Sequence, residues 1–324
     1  MTPSETPTSP ATSRPNHRTH GWTRRLGYRL LPGDGFSYVL HLRPREWPIV
    51  AGHTLFGYLV ALPTAPAAGE RWGTAFVGIV LFVVCLNGGT LAINSAFDRD
   101  EGDIGYLDAP PPPPRHLFAF GLTLMLLGLG IAALILPRSF VLVYAACLVL
   151  SLLYSVPPFR WKAVAGLDLA VNAAGFGTLA TLAGWTLTES ALPLWALIVL
   201  LSFAPLFAAL YPLTQFYQYE EDRARGDRTL ALALGIRRSL LLAIAMTVVA
   251  FTGFMVGLRL GPTGYGWLLA AIPFVAWMSL LLRWLARWPT MSPLEHKRGM
   301  YTALKAWVLT DLSILVAVLG PTLA

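Results

Sequence analysis

Nine stretches of this chain run for 17 or more residues with almost no charge: 47–64, 73–97, 116–136, 139–155, 164–186, 193–217, 239–258, 265–285 and 301–321. Each is long enough to cross a hydrocarbon layer as a helix. A bilayer offers no partners to backbone amides, so a spanning segment must be a helix or a strand of a closed barrel. Barrel strands alternate apolar and polar residues, whereas these runs are continuously apolar. Composition agrees, with 55% of residues hydrophobic and only 13% charged. The expected fold class is an all-α integral membrane protein with nine transmembrane helices, which excludes the water-soluble classes.

Lys and Arg set the expected orientation. With the N-terminus in the cytoplasm, the inside segments hold twenty of the 24 basic residues. These run from Arg14 to Arg45 in the tail, then Arg99 and Arg115, Arg160 and Lys162, Arg223 to Arg238, and Arg283 to Arg298. The opposite loops hold Arg71, Arg138 and Arg259, and Lys305 falls within the last span. A multi-pass protein of a prokaryotic cell membrane, with its C-terminus outside, is the expected placement. The net charge of +7 is then topology and anion handling. No basic module of the sequence suggests a nucleic-acid partner.

Residues 1–42 read as a tail that precedes a single membrane domain over 43–324. Its first 21 residues are rich in Ser, Thr and Pro and are expected to be disordered. From residue 22, Trp22, Leu26, Tyr28 and Leu30 alternate with arginines, as in a segment lying on the bilayer surface. Cys85 and Cys147 both fall inside spans, so neither a disulfide nor a thiol metal site is expected.

Acidic residues cluster at two span ends. Nine of the 17 lie in Asp98–Asp108 and Glu220–Asp227. Collecting carboxylates beside an apolar layer is unfavourable without cations, and a divalent metal or a metal-bound diphosphate compensates them. On a helix Asn94, Asp98 and Glu101 share one face, and Asp103 follows the helix-breaking Gly102. Pro110 to Pro114 then form a stiff extended rod. At the second end Thr214, Gln215, Gln218, Glu221 and Asp222 are expected on one helical face, closed by Gly226. Two such ends on one membrane side form a cage for divalent cations and a diphosphate leaving group. Between them, Tyr154 and the loop cations Arg160 and Lys162 are suited to phosphate oxygens. Asn172, flanked by Gly175 and Gly177, is a polar group at membrane depth and a candidate for a cavity wall.

These elements resemble, in order, those of the UbiA superfamily of intramembrane prenyltransferases. Arg43-Pro-Arg45-Glu-Trp47 is similar to its approach to the first helix, and Asn94-x3-Asp98 with its acidic continuation to its first motif. Tyr154-Ser-Val-Pro-Pro-Phe-Arg160-Trp-Lys162 is similar to its central loop. Glu221-Asp222-Arg-Ala-Arg-Gly-Asp-Arg228 is similar to its second motif. The resemblance runs from about residue 43 to the C-terminus. It implies nine helices around a central cavity, Mg²⁺ at the acidic motifs, and a prenyl diphosphate donor. Carried onto this chain, it implies metal binding by Asp98, Glu101, Asp103, Glu221 and Asp222. It implies catalytic roles for Asp98, Asp222, Tyr154, Arg160 and Lys162, and substrate contacts from Asn94, Arg45, Asn172, Gln218 and Arg228. The chain departs from the family where Ser95 replaces the first acid of the first motif, and where Gln218 stands in place of an opening Asp.

The reaction expected is Mg²⁺-dependent prenyl transfer from a prenyl diphosphate to a lipophilic acceptor inside the membrane, with an allylic cation shielded by Phe97, Phe176 or Phe216. A terpene cyclase on the same scaffold would need no acceptor. A CDP-alcohol phosphotransferase would carry its four acids in one compact motif, whereas here the clusters are far apart. A transporter would place charge at mid-span, where only Lys305 and Asp311 lie. The orientation is directly testable. Reporter fusions after Gly102 and Gly226 should read cytoplasmic, and a fusion after Leu260 should not; acidic loops on opposite sides would also sink the shared-site reading.

Overall fold

The computed structural model describes residues 21–65, 71–98, 104–105, 107–225 and 229–323. The stretch expected to be disordered lies outside them except for Gly21. Among the described residues the chain is helical throughout, with one isolated β-bridge between Ile104 and Leu107. Two short helices, α1 (Trp22–Leu30) and α2 (Gly35–His41), precede α3 (Trp47–Ala61). Then come α4 (Trp72–Asp98), α5 (Leu117–Ile135), α6 (Arg138–Ser155), α7 (Leu167–Thr186) and α8 (Leu194–Gln218). The short α9 (Tyr219–Arg225) and α10 (Leu230–Leu234) lead to α11 (Ile236–Leu260), α12 (Gly266–Thr290) and α13 (Pro293–Leu323).

Eight of these, α4 to α8 and α11 to α13, are long and apolar enough to cross a membrane. The first expected span falls short of that measure, because α3 has 15 residues before the 3-10 turn Leu62–Thr64 and carries the buried polar residues His53 and Thr54. Helix α3 is an inner helix. Outer faces carry exposed Leu134, Leu142 and Val275, a lipid-facing surface that water would not tolerate over this extent.

Helix α13 begins eight residues before the apolar run at 301. Hydropathy measures immersion, whereas helix starts are set by caps. Ser292 and Glu295 form a reciprocal capping box, with the Ser292 amide donating to Glu295 Oε2 at 2.8 Å and the Glu295 amide to Ser292 Oγ at 3.3 Å. The polar turns that follow extend the same helix out of the apolar layer.

Buried side chains form two large clusters. One joins α3 to α4 and α6 to α7 around Tyr58, Phe82, Phe140 and Tyr144. The other joins α8, α11, α12 and α13 around Phe203, Phe251, Phe254 and Trp277. Helices α3 and α7 meet backbone to backbone, since a Cβ on Gly57 would stand 1.8 Å from the Thr181 carbonyl oxygen and one on Gly184 equally close to that of Thr54. Small residues permit this approach, and dispersion between close backbones replaces the hydrophobic drive absent between helices in lipid.

On the side where α4 ends, α1 and α2 strap the segment before α5. Arg24 donates to the carbonyls of Asp108 and Ala109 at 2.5 and 2.8 Å. His41 Nε2 donates to Pro111 O at 3.1 Å, which fixes the tautomer with its proton on Nε2. Burial lowers the His41 pKa to about 4, so it stays neutral in this contact. Helix α1 leaves Trp22 and Leu30 exposed, as a surface-lying amphipathic segment requires.

The α3–α7 contact gives a direct test of packing. Gly57→Ala should cost about 1–3 kcal/mol or more by forcing the helices apart. Gly130→Ala, on an exposed face of α5 with no atom near the added Cβ, should be neutral. Thermal unfolding in detergent compares the two, and equal stability would refute the close approach.

Candidate active site

Helix α4 is described as far as Asp98, and the four-residue spacing sets Asn94 and Asp98 on one face of it. Helix α6 ends nearby at Ser155, before two prolines that cannot continue it. In the loop beyond, Arg160 adopts a left-handed conformation with φ of 41° and opens the 3-10 turn Trp161–Ala163. That reversal directs Lys162 back onto α4. Its Nζ lies 2.5 Å from both Asn94 Oδ1 and Asp98 Oδ1. Arg160 Nη2 reaches the same Asp98 oxygen at 3.2 Å, and Ser155 Oγ donates to Asn94 Oδ1 at 3.4 Å. The Lys162 side chain is only 10% exposed and that of Arg160 46%, so the lysine makes the inner contact.

Beneath this cluster lies a cavity of about 240 Å³, enclosed by α3, α4, α6 and α7. Arg43, Glu46, Asn94, Tyr154 and Asn172 supply polar groups, while Phe82, Leu86, Phe176 and Ala180 make the deeper walls apolar. From Asn94 to Phe82 is twelve residues of one helix, or about 18 Å of depth. Both helices that carry the cavity asparagines are π-helical along it, over Leu81–Asn87 in α4 and Ala173–Leu179 in α7. Such insertions widen a helix locally and shift the register of its side chains, and they are frequent at functional sites.

Sequence reasoning named several of these neighbours and missed others. Asn94, Asp98, Arg160 and Lys162 come together as one cluster, with Tyr154 and Asn172 on the cavity wall. Asn172 Nδ2 donates to the Asp168 carbonyl at 2.8 Å, and Asn172 and Tyr154 line the same cavity. Arg45 is turned away. It pairs with Asp108 at 2.8 Å, exposed, while Arg43, buried with φ of 50°, lines the cavity instead. The signal for Arg43 was its place two residues earlier in the same motif. Burial raises the pKa of Glu46, which also lines the cavity, and the Arg43 charge opposes the shift.

Other expectations meet a different geometry. Thr214, Gln215 and Gln218 do not share an α-helical face, because Tyr211–Thr214 and Phe216–Gln218 are 3-10 turns. Pro212 lacks the amide that a continuous α-helix would need there. Gln215 Oε1 instead accepts from the Ala231 amide at 2.9 Å and ties α10 to the end of α8. Phe97 packs on Phe118, and Phe216 on Trp284 and His296, so of the three phenylalanines only Phe176 lines the cavity. Gln218 closes α8, and the backbone of Glu221 and Asp222 belongs to α9. The side chains of Glu221 and Asp222, together with Glu101, Asp103 and Arg228, lie outside the described residues. Lys305 and Asp311 lie on α13, where Oδ1 of Asp311 is buried without a hydrogen-bond partner among the described residues.

Among the described residues no group of three or more His, Cys, Asp or Glu side chains gathers as a metal site. The oxygens of Asn94 and Asp98 are nonetheless hard donors, and they converge on a cation, the Lys162 ammonium. That donor chemistry suits Mg²⁺. The unanticipated groups are Asp168 and Tyr211. Asp168 is buried and accepts the Tyr211 hydroxyl at 3.2 Å. Its one sequence signal is an acid in the first turn of an apolar span.

Residues 50–307 match the UbiA prenyltransferase family. A lycopene elongase/hydratase of Haloferax volcanii is 30% identical over 267 residues, covering 75% of this chain and 79% of that protein. A digeranylgeranylglyceryl phosphate synthase of Natronomonas pharaonis is 26% identical over 283 residues, covering 84% and 96%. Among solved structures, a UbiA homologue from Archaeoglobus fulgidus bound to DMAPP and Mg²⁺ superposes with a TM-score of 0.65 at 19% identity, covering 86% of this chain and 99% of that one. This chain is an integral, multi-pass membrane protein that belongs to the UbiA family of prenyltransferases.

Proposed function

We propose that the protein transfers a prenyl group from a prenyl diphosphate to an isoprenoid lipid acceptor within the membrane, with Mg²⁺ as cofactor, and that its site opens to the cytoplasm of a prokaryotic cell. One observation carries this reading: a cluster of Lys162, Arg160, Asp98 and Asn94 stands at the polar end of a deep apolar cavity. The cations suit a diphosphate and the apolar depth suits a prenyl tail. The relatives' names support the acceptor class, since both a lycopene elongase and a digeranylgeranylglyceryl phosphate synthase imply acceptors that are themselves isoprenoid.

In this reading Lys162 and Arg160 exchange Asp98 for the diphosphate oxygens when substrate arrives. Asp98, assisted by Glu101 and Asp103, and Asp222 with Glu221 would hold Mg²⁺. The metal, when bound, neutralises charge on the departing diphosphate. Asn94, Gln218 and Arg228 orient that diphosphate, and Arg43 takes the part that sequence resemblance gave to Arg45. Phe176 presents its ring to the positive charge that develops on the allylic carbon. The apolar walls limit water at that carbon, so a bound acceptor captures it ahead of solvent.

Asp98→Asn and Asp222→Asn each delete a charge at nearly constant size. Each should raise the barrier by roughly 3–4 kcal/mol, the scale of other lost electrostatic stabilisers. The double variant should cost far less than the sum, because both act on one site. Purified protein assayed with Mg²⁺ and geranylgeranyl diphosphate, with lycopene or geranylgeranylglyceryl phosphate as acceptor, measures both. Full activity in either single variant, or simple additivity, defeats the shared site. Lys162→Met should weaken donor use while leaving the melting temperature in detergent near that of wild type; failure to accumulate in the membrane would make Lys162 a folding anchor.

A further inference from the structure

Prenyl transfer replaces a bond to hydrogen by a bond to carbon, so one proton must leave the acceptor. The acids of the diphosphate site are committed to cations. Tyr154 is different: it lines the cavity, and its hydroxyl stands close to that of Tyr211. Tyr211 in turn donates to Asp168 Oδ2 at 3.2 Å. Asp168 is 3% exposed, and its other oxygen accepts the Gly166 amide at 2.8 Å. Among the described residues no Lys or Arg forms an ion pair with it. Two neighbouring tyrosine hydroxyls therefore stand between the cavity wall and a buried carboxylate that no described Lys or Arg pairs with.

We propose that Asp168, acting through Tyr211 and Tyr154, takes up the proton released by the acceptor, an inference that rests on the prenyl-transfer reading above. The bond between the donor's C1 and its diphosphate oxygen breaks, and its electron pair leaves with the diphosphate. An electron pair on the acceptor forms the new bond to C1. The acceptor's hydrogen, on a hydroxyl or on carbon beside an alkene, then leaves as a proton to the Tyr154 oxygen. Tyr154 passes its own proton to Tyr211, and Tyr211 passes its own to Asp168. Charge balances, because the carboxylate is neutralised as the acceptor loses its positive charge. Tyr154 touches the substrate, whereas Asp168 and Tyr211 work through it.

This assignment separates two steps that a structural role would not separate. Donor ionisation needs the cation cluster, and capture of the carbon needs the proton path. The probe is geranylgeranyl diphosphate with ¹⁸O in the bridging position, given with Mg²⁺ and no added acceptor to the full-length protein in detergent. Ionisation and return scramble the label, and capture by water yields the prenyl alcohol with loss of one proton. The ratio of alcohol to scrambled donor should fall on the order of 10²-fold in Asp168→Asn and in Tyr211→Phe, the low end of general-base effects. Tyr211→Phe keeps the ring and decides the matter if Asp168→Asn fails to fold. An unchanged ratio overturns the relay and leaves the diphosphate itself as the base. Equal loss of scrambling and alcohol also overturns it, in favour of a role in holding the donor site together. A wild-type protein that does not scramble the label defeats the prenyl diphosphate reading, and the relay with it.

Discussion

The Lys162 ammonium held between the oxygens of Asn94 and Asp98 is the contact on which the arrangement of the site depends. A carboxylate at the edge of a hydrocarbon layer is costly unless a cation meets it. Here two cations reach one oxygen of Asp98, at 2.5 and 3.2 Å, and both come from a single loop. To deliver them, that loop must turn sharply after α6, which explains a left-handed backbone at Arg160, a residue type that rarely adopts it. Such strain persists where surrounding contacts over-determine it. The ion pair is partly buried on both sides, so it counts for more than an exposed pair would. In the proposed reaction it is exchangeable, since a diphosphate would offer the lysine more negative charge than Asp98 does.

The cavity follows from how the helices beneath that contact are built. Regular α-helices packed at full density leave little room for a tail. Two of the four enclosing helices relax into π geometry along the cavity, and in α7 that stretch lies between a close-packed stretch and the polar end. In α7 the close-packed stretch is the Gly184 contact with α3, where the backbones nearly touch. Tight packing at one level and widening at the next are therefore parts of one helix pair. The same alternation sets Phe176 on the cavity wall, stacked on Phe207 of α8 at 5.8 Å between ring centres.

Much of the fold was legible because immersion in lipid is written in one dimension. The apolar runs fall on observed helices within a few residues, and α3 lies where the first run begins. What hydropathy missed were features set by local polar chemistry: the Ser292–Glu295 cap that starts α13 early, and the proline-induced 3-10 turns at the end of α8. The Asn94/Asp98 face and the Arg160/Lys162 loop were legible because each is a short local pattern. Their mutual contact was implied by charge alone. Which arginine of Arg43 and Arg45 would turn inward was not legible, because it is decided by the left-handed backbone at Arg43 and by Asp108 drawing Arg45 outward.

Asp168 shows the deeper limit of reading in one dimension. Its significance lies in Tyr211 and Tyr154, which arrive from two other helices, and no spacing along the chain encodes that meeting. The meeting also has a structural consequence. The cavity is lined by the first half of the bundle, while α9, the backbone carrying Asp222, follows directly on α8. Tyr211 sits near the end of α8, so its bond to Asp168 ties the segment leading to the second acidic motif against α7 of the first half. A proton path built there is coupled to the seating of α8, and a shift of that segment would disturb proton removal and the second acidic motif together.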